Sequence, residues 1–126
     1  MIIIADPTSE DDTSQDFALK IVADNVVVRN VIVYHAANGM GIYVYQVNTL
    51  TIENVQVIAY GNAKGAQACP TRSPFSGYDC SNIKIIDATS LTMNNVYVEN
   101  GSRGASIKNS PNADVQNFVA KNVRGP

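Results

Sequence analysis

The stretch VVVRNVIV at residues 26–33 decides the fold, because much of the chain repeats it. LTIENVQV follows at 50–57, LTMNNVYV at 91–98 and a degraded ADVQNFVA at 113–120. Each copy reads apolar-x-apolar-x-Asn-apolar-x-apolar. Strict alternation rich in Val and Ile describes a strand with one buried face, bent once at Asn30, Asn54, Asn95 or Asn117. No window carries a sustained i, i+3, i+4 apolar stripe with caps, so helix is expected to be nearly absent.

The four asparagines stand 24, 41 and 22 residues apart. The middle interval is one unit of about 23 residues plus an insertion of about 18, supplied by the segment that holds the cysteines. A unit of that length is too short for paired helices and suits a leucine-rich repeat or a parallel β-solenoid. The pattern LxxLxLxxN is not met, since its first leucine is missing. A second register points to the solenoid. Thirteen residues before three of the asparagines stand Gly41, Asn82 and Gly104, read here as turn residues, followed by the alternating IYV, IKI and ASI. LKI at 19–21 joins them after a one-residue shift.

Stacked units of this kind make parallel sheets, each strand pairing with its equivalent one unit along. A buried asparagine at every bend must satisfy its amide, so a hydrogen-bonded column of Asn30, Asn54, Asn95 and Asn117 is expected. The chain divides, within one domain over 1–126, into an acidic irregular segment (1–16), first coils (17–62), a loop insertion (63–79) and last coils (80–126).

Composition narrows the classes. With 45% hydrophobic and 16% charged residues the chain is an ordered protein, and 126 residues suffice for one core. A net charge of −2, with scattered cations, argues against a nucleic-acid partner. No apolar run approaches eighteen residues, so no membrane span is expected. The apolar MIIIA at 1–5 is too short for a signal-peptide core and has no positive region before it. The chain reads either as a mature protein or as a piece of a longer β-helix. Residues 6–16 carry five of the eleven acids and no base. Calcium suits such carboxylates, but no DxDxDG order or closing Glu is present, and a solvated loop is the better reading. No other cofactor is implied. Cys69 and Cys80 lie 11 apart in a Pro/Ser/Gly-rich stretch without a nearby His, which rules out a four-ligand zinc site from these alone. They read as free thiols or as a disulfide contributing about 2–3 kcal/mol, the latter implying an oxidising, extracellular location.

The LTIxNVxV unit, its asparagine column and the GxxI strand resemble the pectate-lyase-like right-handed parallel β-helix superfamily over roughly residues 17 to 123. The resemblance implies an all-β, right-handed parallel β-helix (a single-stranded solenoid) of about five coils, with an asparagine ladder and one long loop insertion. For function it implies an acidic polysaccharide as partner, through a lyase, hydrolase, epimerase or non-catalytic member. Pectate lyases of that superfamily use a calcium-binding set of acids and an arginine base, and its polygalacturonases carry NTD, DD, GHG and RIK. None of these maps here, and SIK at 106–108 is only weakly similar to RIK. Enzyme activity therefore stays open.

Two outward columns are the candidate surface: Tyr43, Lys84 and Ser106, then Tyr45, Ile86 and Lys108. Aromatic faces stack on sugars and cations meet carboxylates. The insertion leaves just before Lys84, so Arg72 is placed to join the groove, and Arg103 lies at the turn entering it. Equally, outward Tyr and Lys simply cover a sheet. Asp79 and Asp87 are the only acids nearby, and Asp87 aligns with Gln46 and Asn109 at a turn, which leaves no carboxylate pair for glycoside hydrolysis. The lone His35 reads as a surface or turn histidine. Two functions compete: a carbohydrate-facing β-helix without a complete catalytic site of its own, and a structural solenoid. Both ends lack a visible cap, so self-association through them is expected.

Overall fold

Alternating Val, Ile and Leu build strands throughout, and the computed structural model describes residues 1–4, 17–36, 39–60, 80–101 and 103–123. They form β1 (Ile2–Ile4), β2 (Phe17–Ile21), β3 (Val26–Ala36), β4 (Met40–Tyr60), β5 (Ser81–Glu99), β6 (Arg103–Lys108) and β7 (Asn112–Lys121). Among the described residues there is no helix. The strands run in the order β1-β3-β4-β5-β6, with β2 also on β4 and β7 also on β5. Every pairing is parallel. This all-β, parallel arrangement is compatible with a β-solenoid.

The pairing follows the sequence repeat. Val28 lies beside Ile52, Ile52 beside Met93 and Met93 beside Val115. In the second register Ile21, Val44, Ile85 and Ile107 follow one another in the same way. Their side chains point inward and make the core, in which Val33, Val44, Ile52, Val57, Ile83, Ile85, Met93 and Val98 are fully buried. Full burial of such a side chain contributes about 1.5–3 kcal/mol, so the columns carry most of the stability.

The long strands bend where the backbone turns left-handed. Asn30, Asn54, Asn95 and Asn117 have φ of 58°, 54°, 56° and 53°, and Gln46, Asp87 and Asn109 form a second set at 54°, 61° and 52°. A bend here shifts the phase of the alternation without ending the strand.

Two expectations are corrected. The asparagine column is exposed, not buried. Its recurrence reflects the αL backbone, which Asn tolerates at less cost than other side chains. The amides do link: Asn54 Nδ2 donates to Asn30 Oδ1 at 2.6 Å and Asn95 Nδ2 to Asn54 Oδ1 at 3.0 Å. The last rung slips, Asn117 Nδ2 donating to Asn94 Oδ1 at 2.9 Å instead of reaching Asn95. Second, Gly41, Asn82 and Gly104 are strand residues, not turns. A Cβ on Gly41 would lie 2.3 Å from Val57 Cγ1 and 2.5 Å from the Asn82 carbonyl oxygen, so close packing explains that glycine. The columns thin along the stack: Ile21 and Val28 are 6% and 8% exposed and their equivalents Ile107 and Val115 37% and 40%, while on the edge strand β1 Ile2 and Ile4 are 61% and 67% exposed.

Candidate functional site

Strand alternation sets the outward surface of β2 and β4. Ile42 and Val44 point inward, so Tyr43 and Tyr45 project outward, and pairing places Lys20 beside Tyr43. The Phe17 and Tyr43 rings lie 5.6 Å apart and tilted by 40°, and Tyr43 and Tyr45 lie 6.3 Å apart, nearly parallel at 23°. Lys20 Nζ sits 5.5 Å from the Phe17 ring centre and 6.0 Å from that of Tyr43. Phe17 and Tyr43 are half-buried and Tyr45 and Lys20 exposed, which makes a strip of ring faces with one ammonium over it. Such a cation–π contact contributes about 0.5–1 kcal/mol at the surface and holds the charge in place.

The two expected columns exist as registers: Tyr43 beside Lys84 beside Ser106, and Tyr45 beside Ile86 beside Lys108. They are not one open groove. Lys84 is only 2% exposed, and β5 is buried on both faces from Ser81 to Ile85. A buried ammonium cannot meet a polymer from solvent, so Lys84 leaves the candidate surface. Its loss separates the aromatic strip from the exposed Lys108 and Arg103 on β6. Phe17 and Lys20 were missed by sequence reasoning. Their signal was the one-residue shift that aligns LKI at 19–21 with IYV at 42–44, which places Lys20 in the Tyr43 column. Arg72, Cys69 and the acidic run at 6–16 lie outside the described residues. Cys80 is fully buried and disulfide-bonded.

The described acids have other partners. Asp24 accepts from the Asn48 backbone N–H at 2.8 Å, and Glu53 pairs with Arg29 at 3.3 Å on exposed side chains, a contact contributing at most about 1 kcal/mol. Asp114 accepts from Gln116. Tyr97 donates a short hydrogen bond to Glu99, and this bond, with some desolvation, raises the phenol pKa. Asp87 occupies a left-handed bend, as its alignment with Gln46 and Asn109 suggested. Among the described residues no three His, Cys, Asp or Glu side chains converge on a metal position. No described helix is long and apolar enough to cross a membrane.

His35 corrects a further expectation: it is an interior residue, 1% exposed. Its Nδ1 lies 2.8 Å from the Ala36 carbonyl oxygen, which requires the proton on Nδ1. Nε2 is then an acceptor for Asn82 Nδ2 at 2.9 Å. That amide nitrogen also faces the carbonyls of Glu99 at 3.0 Å and Val57 at 3.2 Å. The three acceptors fix its orientation, because a flipped amide would set oxygen against two carbonyls. Asn82 Oδ1 consequently has no hydrogen-bond partner among the described residues and packs where a Cβ on Gly101 would come within 2.4 Å. Burial lowers the His35 pKa to about 4, only partly opposed by the Ala36 contact. A neutral imidazole locked between the Ala36 carbonyl and the Asn82 amide serves structure. It has no access to a substrate.

The chain matches no protein-family model, no curated protein and no solved structure.

Proposed function

We propose that the chain is a right-handed parallel β-helix of about five coils, of the pectate-lyase-like kind, whose outer face binds an acidic polysaccharide. The single observation that carries this reading is the strip of Phe17, Tyr43 and Tyr45 with Lys20 lying over it. Neighbouring aromatic rings 5.6 and 6.3 Å apart offer apolar surface to successive sugar units, and the ammonium supplies the counter-charge for a uronate carboxylate. The role is binding, since the described acids are engaged in other contacts or placed at a bend. The bonded Cys80 fits an oxidising, extracellular location.

Affinity electrophoresis against polygalacturonate and alginate, with neutral glucans as controls, tests the reading. Retardation by the polyuronates is expected, and Tyr45→Ala should weaken it roughly tenfold, as loss of one stacking face does. Lys20→Ala should abolish the preference for charged over neutral polymer. Lys84→Ala should change affinity no further than any loss of folded protein explains. Equal migration in every gel overturns the proposal.

A second reading, a structural solenoid acting through its ends, is favoured by the exposed apolar side chains of Ile2 and Ile4 on β1, Ile107 on β6 and Val115 on β7.

A further inference from the structure

The interior carries a polar crossing that the repeat does not explain. Gly41, Asn82 and Gly104 hold equivalent places on β4, β5 and β6, each one residue before the paired Ile42, Ile83 and Ala105. Glycine leaves the first and last without a side chain, whereas the Asn82 side chain, fully buried, spans the interior from the start of β5. Its Nδ2 meets the His35 ring on β3 at 2.9 Å, the Val57 carbonyl on β4 at 3.2 Å and the Glu99 carbonyl at 3.0 Å. One amide therefore ties the start of β5 to β3, to β4 and to its own far end.

The tie depends on a neutral ring. His35 Nδ1 gives its proton to the Ala36 carbonyl, so Nε2 is the acceptor. A second proton on the ring would set N–H against N–H. Turning the amide does not resolve this, because Oδ1 would then take the place of Nδ2, 3.2 and 3.0 Å from the Val57 and Glu99 carbonyl oxygens. Either orientation leaves buried groups mismatched, at about 1–3 kcal/mol each and more beside a charge. On the strands around this contact, the titratable side chains nearest in the chain are Tyr34 on β3, Tyr60 on β4, Lys84 and Glu99 on β5 and Arg103 on β6. The Glu99 carboxylate is taken up by Tyr97 and Asn100, and Tyr60, Lys84 and Arg103 have interactions of their own. Separation of Asn82 from His35 is what relieves the conflict.

We propose that the His35–Asn82 contact is an acid-released latch, and that protonation of His35 frees the start of β5 together with β6 while the rest of the stack stays folded. The unit follows from the pairing: among the described residues β6 pairs only with β5, over Ser81 to Ile86, so it leaves with that segment. The second arm of β5 remains held between β4 and β7. Such sub-global opening needs less free energy than complete unfolding. The released segment borders the aromatic strip, since Ile83 and Lys84 lie beside Ile42 and Tyr43. The latch does not rest on the sugar reading.

Amide hydrogen exchange of the whole chain, followed by NMR and corrected for the intrinsic rate at each pH, tests it. Between pH 7 and pH 4 the amides of residues 83–86 and 104–107 should lose protection roughly hundredfold, with little dependence on urea. Those of 51–57 and 92–98 should stay better protected and exchange with the steep urea dependence of global unfolding. His35→Gln removes the titrating group and should remove the response to pH. Asn82→Ala removes the amide and should leave the segment poorly protected at both pH values. Should either variant fail to fold, the comparison of the two groups of amides in the native chain decides alone. Equal protection and equal urea dependence of both groups at pH 4 overturns the proposal. So does a segment whose protection ignores pH, or one that keeps its response in Asn82→Ala.

Discussion

Gly41 and His35 show how single residues hold this stack together. Gly41 leaves room for the Val57 side chain, the Asn82 carbonyl and the His35 ring, whose Cδ2 would stand 2.9 Å from an added Cβ. The carbonyl belongs to a paired strand and cannot move aside. Gly41→Ala should therefore destabilise the fold by about 3 kcal/mol, at the upper end of overpacking costs, read as a lower urea midpoint with unchanged m. His35 makes stability depend on pH. Its folded pKa of about 4 lies below the ordinary value of 6.5, so the unfolded chain binds the proton more readily. Stability is then complete above the unfolded pKa and falls as pH drops towards the folded one, by about 2 kcal/mol between pH 7.5 and 5. Protonation would also turn Nε2 into a donor facing the Asn82 amide nitrogen. Urea melts across that range should show the slope in the native chain and lose it in His35→Gln. Neither role was legible in the sequence. Gly41 sits where a turn glycine would, and His35 follows a strand as a surface histidine would; only the third dimension brings them together.

At the level of the strand, the bends were legible and their chemistry was half legible. The recurring asparagine gave the position of each bend correctly. The repeat alone points to amide bonding in a buried column, whereas Asn54 is exposed with φ 54°. The two contributions can be separated. Asn54→Gly keeps the left-handed backbone and loses the bonds to Asn30 and Asn95, at a cost of about 1 kcal/mol. Asn54→Ala loses both, and should cost about 2–3 kcal/mol. Equal losses in thermal or urea unfolding would mean that the backbone conformation contributes nothing. The second set of bends, at Gln46, Asp87 and Asn109, was visible only as an alignment, because three different side chains fill it.

For the whole molecule, placement decides the candidate surface. A repeat aligns outward residues into columns, but whether a column is open depends on what covers it, and Lys84 is covered while Tyr45 is not.

The sequence by itself determined the repeated strand segments, their parallel pairing and register, and the bend positions, because each follows from local alternation and from a spacing that recurs along the chain. The tertiary structure alone decided which outward residues reach solvent, and that His35 and Asn82 meet in the interior. Those outcomes depend on contacts between residues far apart in sequence, such as the 47 that separate His35 from Asn82. Periodicity carries the phase of each side chain but not the neighbour that lies over it.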